Sequence, residues 1–568
     1  MIQHWLDQLG DWNPQLFREL KGRLKPRNLL LATAVSAIGQ LLLVASFLVK
    51  LPSVPTQSDS RYCTGASLYG YPIFPCQLTP MGDIAINWQL WWLDVFMSVS
   101  LFGLMSLLTV GTYLLLNDLN HEERRGTLNF IRLAPQSTQR LLVGKLLGVP
   151  ALLYLVLALA LPLHLITGLT AQISPWLILG FDGLVIASAV FFYSVALLFG
   201  ITSSWVGSFQ AWFGGGALLL SLLIVSSAGT QIDWLRLLSP TTILPYLIPS
   251  NLLSSGQIFG QGVPWILENL QPLQWFNLPI GSNPVSLGTV MLVNFAVATY
   301  WVWQALERCF RNPNATTWSK SQSYLLVACF EVAIVGFAAS GVETKDSWIG
   351  MHLSQLLGMN LVFFLGLMLA MSPQRQAVQD WARYRREQVT IQDGHKRSRL
   401  LPDLIWAEKS PALVAMALNL TIAAAILLPW VALWDGRESD VYKVAATISV
   451  VLTLSMLMVY ATVVQLMVMM KNQWRTSWAI GTVSAIVLLP VVALFTLSLP
   501  EKVPAVWLLT AFPWMALEHL PTLAACMGVL AQWTATTVLT AQLTRQIRRA
   551  GDSVSKTLLQ SDRVSLPM

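Results

Sequence analysis

Few residues in this chain are of a type and spacing that could do chemistry. Gly144-Lys145 has the ending of a phosphate-binding loop. The upstream Gly and the following Ser or Thr are missing, since Leu146 stands there, so the Gly-x4-Gly-Lys-Ser/Thr cradle for a nucleotide is not formed. The chain is therefore read as a non-enzyme with no cofactor of its own. The six His are scattered and no Cys-x-x-Cys occurs, which leaves no metal or haem ligand set. Two carboxyls fall inside apolar runs, Glu331 and Asp182. A charge at a helix centre in lipid costs roughly 2.5–3.5 kcal/mol on insertion scales, so each is either a substrate or proton contact or a hydrogen-bonded structural carboxyl. Cys63 and Cys76 share one inter-span segment, where a disulfide and two free thiols are both open readings.

The elements that must position these residues follow from composition. Of 568 residues 55% are hydrophobic and 11% are charged, where soluble domains carry about 25% charge. Soluble enzyme, nucleic-acid binder and disordered scaffold are excluded as readings. A bilayer core takes about 20 apolar residues per helix. Spans are expected near 29–49, 91–116, 146–169, 176–201, 211–228, 285–303, 324–340, 353–371, 412–433, 444–470, 478–499 and 523–543, the fifth and seventh being short. The expected fold is an all-α integral membrane protein of about 12 transmembrane helices. With the N-terminus inside, 28 of the 35 Lys and Arg fall in cytoplasmic segments, so both termini are expected in the cytoplasm and the protein in the cell membrane. The first 28 residues are polar and basic and predict no removable signal peptide.

Between the spans, four segments carry information. Asn13-Pro14 can start a helix whose Leu16, Phe17, Leu20 and Leu24 share a face, with Arg18, Lys21, Arg23 and Lys25 around it and Pro26 ending it. It is an interfacial helix, either an anchor or an elbow that touches a partner. Residues 229–284 are rich in Leu, Trp, Pro and Gly and predict short helices on the outer face, a lid. Residues 372–411 hold Arg383, Arg385, Arg386, Lys396, Arg397 and Arg399, read as a solvated or lipid-facing basic face. The fourth runs His121-Glu122-Glu123-Arg124-Arg125-Gly126-Thr127-Leu128-Asn129-Phe130-Ile131-Arg132-Leu133-Ala134-Pro135-Gln136-Ser137, then reaches Gly144-Lys145. It predicts a short helix with Leu128, Phe130 and Ile131 available to pack, broken at Pro135, and a second helix capped by Ser137.

This last loop resembles that of the ABC type-2 exporter permeases, whose second cytoplasmic segment reads Glu-x-x-Arg-Gly-Thr-Leu, then apolar residues, Thr-Pro-x-Ser and Gly-Lys. Glu122, Arg125, Gly126, Thr127, Leu128, Pro135, Ser137, Gly144 and Lys145 match in order; Ala134 stands where the family often has Thr. The resemblance spans about residues 1–312, a permease-like half of six spans with the lid before its last span. It implies a permease subunit of an ATP-driven exporter, with ATP used by a separate ABC ATPase. It implies ATPase docking by Glu122, Arg125, Gly126, Thr127, Leu128, Pro135, Ser137 and Lys145, flanked by Arg18 and Lys21 of the elbow. Residues 313–568 supply six more spans. Glu408-Lys409-Ser410-Pro411 and residues 470–475 hint at a divergent repeat, so the path would lie between halves of one chain, of a homodimer or of a second permease. The competing readings are an ion-coupled secondary transporter, for which Glu331 is the candidate group, and a non-transporting membrane assembly subunit. Flux without ATP would favour the first of these two.

Overall fold

The structure, a computed structural model, describes residues 10–52, 61–65, 76–80, 82–226, 233–254, 267, 270–338, 349–391, 400–434, 440–472, 474–496, 504–516 and 522–550. The fold is all-α. Twelve of the described helices are long and apolar enough to cross a membrane, which makes this a multi-pass membrane protein. Chain contacts divide it into two units, residues 1–311 and 312–568.

In the first unit, α1 (Pro14–Arg23) starts where Asn13 Oδ1 accepts the Leu16 N–H at 3.0 Å, with Pro14 opening the first turn. Pro26 opens α2 (Pro26–Leu48). The long α3 (Trp88–Arg124) is capped by Asn87 in the same way. Next come the short α4 (Thr127–Arg132) and α5 (Thr138–Gly148), then α6 (Ala151–Thr170), α7 (Pro175–Thr202), α8 (Gln210–Ser226) and α9 (Pro284–Arg311). The hub is α3, which packs on α6, α7 and α8; α9 packs on α7, and α2 on α6. Tyr193 of α7 is fully buried and donates to Leu107 O of α3 at 2.6 Å. A Cβ on Gly111 would lie 1.9 Å from that hydroxyl, so the close approach of α3 and α7 needs glycine there.

At 37 residues, α3 is about 55 Å long, beyond what a bilayer core requires. Its expected end near Leu116 is corrected: two further turns carry Asp118 and Glu122 out of the apolar stretch while still helical. The acids and bases that precede Arg125 therefore sit on the helix itself. At the opposite end of α3, Gln89 accepts from Asn251 at 2.8 Å. Here the described part of the expected lid is short helical turns (Asp233–Arg236, Pro240–Leu247, Ser250–Ser254) and a two-residue hairpin, Gln274–Trp275 with Leu278–Pro279. Its 240–247 turn packs on α7 and α9, and Tyr246 donates to Gly281 O. Residues 255–266, 268 and 269 of this segment lie outside the described residues.

The second unit has α10 (Lys320–Ala338), α11 (Ile349–Met371), α12 (Arg375–Ile391), α13 (Leu400–Trp406), α14 (Leu413–Ala432), α15 (Asp440–Val468), α16 (Arg475–Thr496) and α17 (Thr522–Ala550). Here α15 is the hub, packed on α11, α14, α16 and α17, while α10 packs on α14 and α11. The expected basic face is corrected at Arg385, which is buried and ion-paired with Asp403 of α13. Arg383 is exposed, whereas the Arg386 side chain and Lys396, Arg397 and Arg399 lie outside what the structure describes.

Candidate partner-docking site

The site is built where α1, the end of α3, and α5 meet. Gly144 and Gly148 put a bare strip on α5, and α1 lies against it. A Cβ on Gly144 would come within 2.9 Å of Asn13 Oδ1, Gln15 Cβ and the Leu16 nitrogen. One on Gly148 would lie 2.5 Å from Glu19 Cβ. Asn13 Nδ2 also donates to Arg140 O of α5 at 2.7 Å. One side chain thus caps α1 and ties it to a helix over a hundred residues away.

This close packing brings six charges together. Lys145, 1% exposed, lies 2.7 Å from Asp118 Oδ2, 2.6 Å from Glu122 Oε2 and 3.9 Å from Glu19 Oε1. Arg18 reaches Glu122 at 2.6 Å and Glu19 at 3.2 Å. Arg23 reaches Asp118 at 2.6 Å and Glu19 at 3.1 Å. Burial works against the charged Arg18 guanidinium, but Glu19 and Glu122 outweigh it and hold the group above its ordinary range. Oxygens of Glu19, Asp118 and Glu122 lie close enough to one another to suggest a cation site. Three basic side chains already face these three acids, and the cluster reads as an ion-pair junction.

Beyond the junction, α3 ends at Arg124, and after Arg125 Gly126 turns the chain with φ +70°, the left-handed region that favours glycine. Thr127 Oγ1 donates back to Glu122 O at 3.1 Å. The short α4 then shows two faces. Leu128 and Ile131, each 4% exposed, enter the cluster of Leu115, Leu119, Leu141, Leu142, Leu306 and Phe310. Phe130 and Leu133, 79% and 84% exposed, point away. Arg132 lies over the Phe310 ring, and burial lowers its guanidinium from the ordinary range while Glu123 opposes this. Ser137 caps α5 by accepting the Arg140 N–H. From α9, Arg311 donates to Thr138 Oγ1 at 3.0 Å and Glu307 accepts from Gln139. The α4–α5 turn is braced on two sides.

The predicted residues therefore divide. Arg125, Gly126, Thr127, Pro135, Ser137, Lys21 and Arg18 are exposed. Leu128 and Lys145 face inward, and Glu122 is held in the junction by its pairing with Lys145. Phe130, expected to pack, is corrected to the outward face. Glu19, Asp118 and Leu133 were not singled out, and Arg23 was read only as part of the basic side of α1. Their signal was spacing: Asp118 and Glu122 are four apart, as are Glu19 and Arg23, and Phe130 and Leu133 are three apart.

Elsewhere in the first unit, Asp182 Oδ1 lies 3.3 Å from His164 Nε2, and His164 Nδ1 lies 3.3 Å from Ser100 Oγ. The three groups link α3, α6 and α7. Cys63 and Cys76 are joined in a disulfide. Arg61 and Tyr62 beside it bind the two oxygens of Asp94 on α3, at 2.8 and 3.0 Å. Glu331 is fully buried in the second unit, with Asn360 donating to it at 3.3 Å.

Residues 87–223 match the family model described as ABC-2 family transporter protein. This stretch belongs to the ABC-2 transporter family. The ABC-2 region begins at the Asn87 cap of α3 and ends inside α8, so it holds α3, the α4–α5 turn, and spans α6 and α7 entire. The match is narrower than the resemblance read over 1–312. Lys145, Asp118 and Glu122 lie within the ABC-2 region, while α1, which completes the junction, lies outside it. Among curated proteins and solved structures, nothing matches the chain.

Proposed function

We propose that this ABC-2 chain is the membrane-spanning permease of an ATP-driven exporter, and that α4 docks a separate ATPase subunit which supplies the hydrolysis. In this reading the α1–α5 junction and both termini face the cytoplasm, in the cell membrane. The bias of Lys and Arg supports that orientation. The observation that carries the docking role is the outward pair Phe130 and Leu133 on a helix otherwise locked into the bundle. Aromatic side chains on a rigid support are the usual anchors of an interface. Arg125, Thr127 and Lys21 supply a polar rim. A partner pushing on α4 would load α3 through Gly126 and load α5 and α1 through the ion pairs, so the same strokes reach the spans.

The test is purification of the chain in mild detergent from its native membrane. An ATPase should accompany it, and the double substitution Phe130→Ser with Leu133→Ser should abolish that association while leaving unfolding unchanged. An intact preparation without an ATPase, or a double variant that retains one in full amount, overturns the reading.

A further inference from the structure

In the second unit, the contact between α10 and α11 is one hydrogen short. Asn360 Nδ2 donates to Leu356 O at 3.0 Å, and a backbone carbonyl can only accept, so the amide's orientation is determined. The second hydrogen of Nδ2 goes to Glu331 Oε2 at 3.3 Å. That leaves Glu331 Oε1 and Asn360 Oδ1, both in fully buried residues, as acceptors with no donor. Buried polar atoms are rarely left unmatched, and two from the same pair share one remedy. A proton on Oε1 donated to Oδ1 would close a reciprocal acid–amide pair and remove both orphans. An ionised carboxylate would instead face an unpaired amide oxygen in an apolar interior.

No cation offers an alternative among the described residues. On α10, Lys320 is eleven positions back, about 16 Å along the axis, and its ammonium is spent on Leu404 O, Ser410 Oγ and Pro411 O. Tyr324 donates to Ile405 O, and Cys329 is exposed. From α11 the titratable group is His352, two turns from Asn360 with its ring against Trp434. From α13 it is Asp403, paired with Arg385. The chain of α14 holds no titratable side chain. Phe330 and Phe363 stack at 4.0 Å on these same two helices.

We propose that Glu331 and Asn360 form a proton-binding site that latches α10 to α11. The proton rests on Glu331 while the helices are closed. Its release to water leaves a carboxylate beside an amide oxygen, so the helices must part to admit water or a cation. Proton occupancy and closure of this helix pair are then linked, whatever energy source drives transport through the chain.

The test is infrared spectroscopy of the full chain in lipid nanodiscs, grown with carboxyl-labelled carbon-13 glutamate, at neutral pH. The proposal expects a carboxylic-acid C=O band that moves with the label, moves again in heavy water, changes frequency in N360L and is lost in E331Q. Glutamine keeps a donor and an acceptor in place of the acid, so E331Q should fold. Should it not assemble, the labelled wild-type spectrum decides alone: glutamate signal confined to the carboxylate region overturns the proposal. An acid band that persists unchanged in folded E331Q overturns it as well.

Discussion

Lys145 Nζ stands 2.6 Å from Glu122 Oε2, so the last turn of α5 and the last turn of α3 are joined by a charge pair whose lysine is buried. The lysine is the one cation of the junction that is withdrawn from solvent; Arg18 and Arg23 approach the same acids from a partly exposed side. Removing a buried partner costs far more than a surface pair contributes, because the charge left behind has no water to turn to.

Lys145→Met should therefore lower stability by about 3 kcal/mol, the lower end for a broken buried pair since the two arginines remain. Denaturant unfolding of the purified chain measures this. Adding Glu122→Gln should recover part of the loss; strictly additive losses would show that the two groups are not coupled.

Gly144→Ala should destabilise by about 1–3 kcal/mol, because its Cβ meets backbone and near-backbone atoms of α1 that cannot rotate away. Gly22→Ala, where nothing lies within 4 Å, is the internal control and should not destabilise. Protease cleavage between α1 and α2 would report the loosened elbow in the first variant alone.

On α4 two apolar residues two positions apart should behave in opposite ways. Leu128→Ala should cost about 2–5 kcal/mol as a core truncation. Phe130→Ala should stay within about 0.5 kcal/mol as a surface change, yet weaken ATPase association. Thermal unfolding and pull-down on the same two preparations check both halves.

Cys63→Ser should cost about 3 kcal/mol, from the entropy released when a loop with a sequence separation of 13 is no longer closed. Unfolding with and without reductant should show the difference in the wild type and none in the variant.

Much of this was open to a reader of the sequence. All twelve membrane-crossing helices coincide with apolar runs, because lipid demands about 20 apolar residues in succession and hydropathy is local. Ser137 was legible for the same reason: a helix cap depends on a residue and its nearest neighbours. The end of α3 was not, since charged helix and charged loop read alike once the apolar run stops at Leu116, and the ion pairs of Asp118 and Glu122 with Lys145 exist only in the folded chain.

What tertiary structure alone decided is the pairing. Lys145 was visible as the end of a Gly-Lys motif, but Glu19 lies over a hundred positions before it, and no local pattern says which helix faces meet. Leu128 and Phe130 are both apolar; their opposite fates follow from which side of α4 the bundle covers. Glu331 could be recognised as costly in lipid, while Asn360, 29 positions on, became its partner only through the docking of α10 on α11. Burial in a bilayer is a property of a segment and can be read along the chain, whereas an ion pair or a hydrogen bond is a property of two surfaces and exists only after they have met.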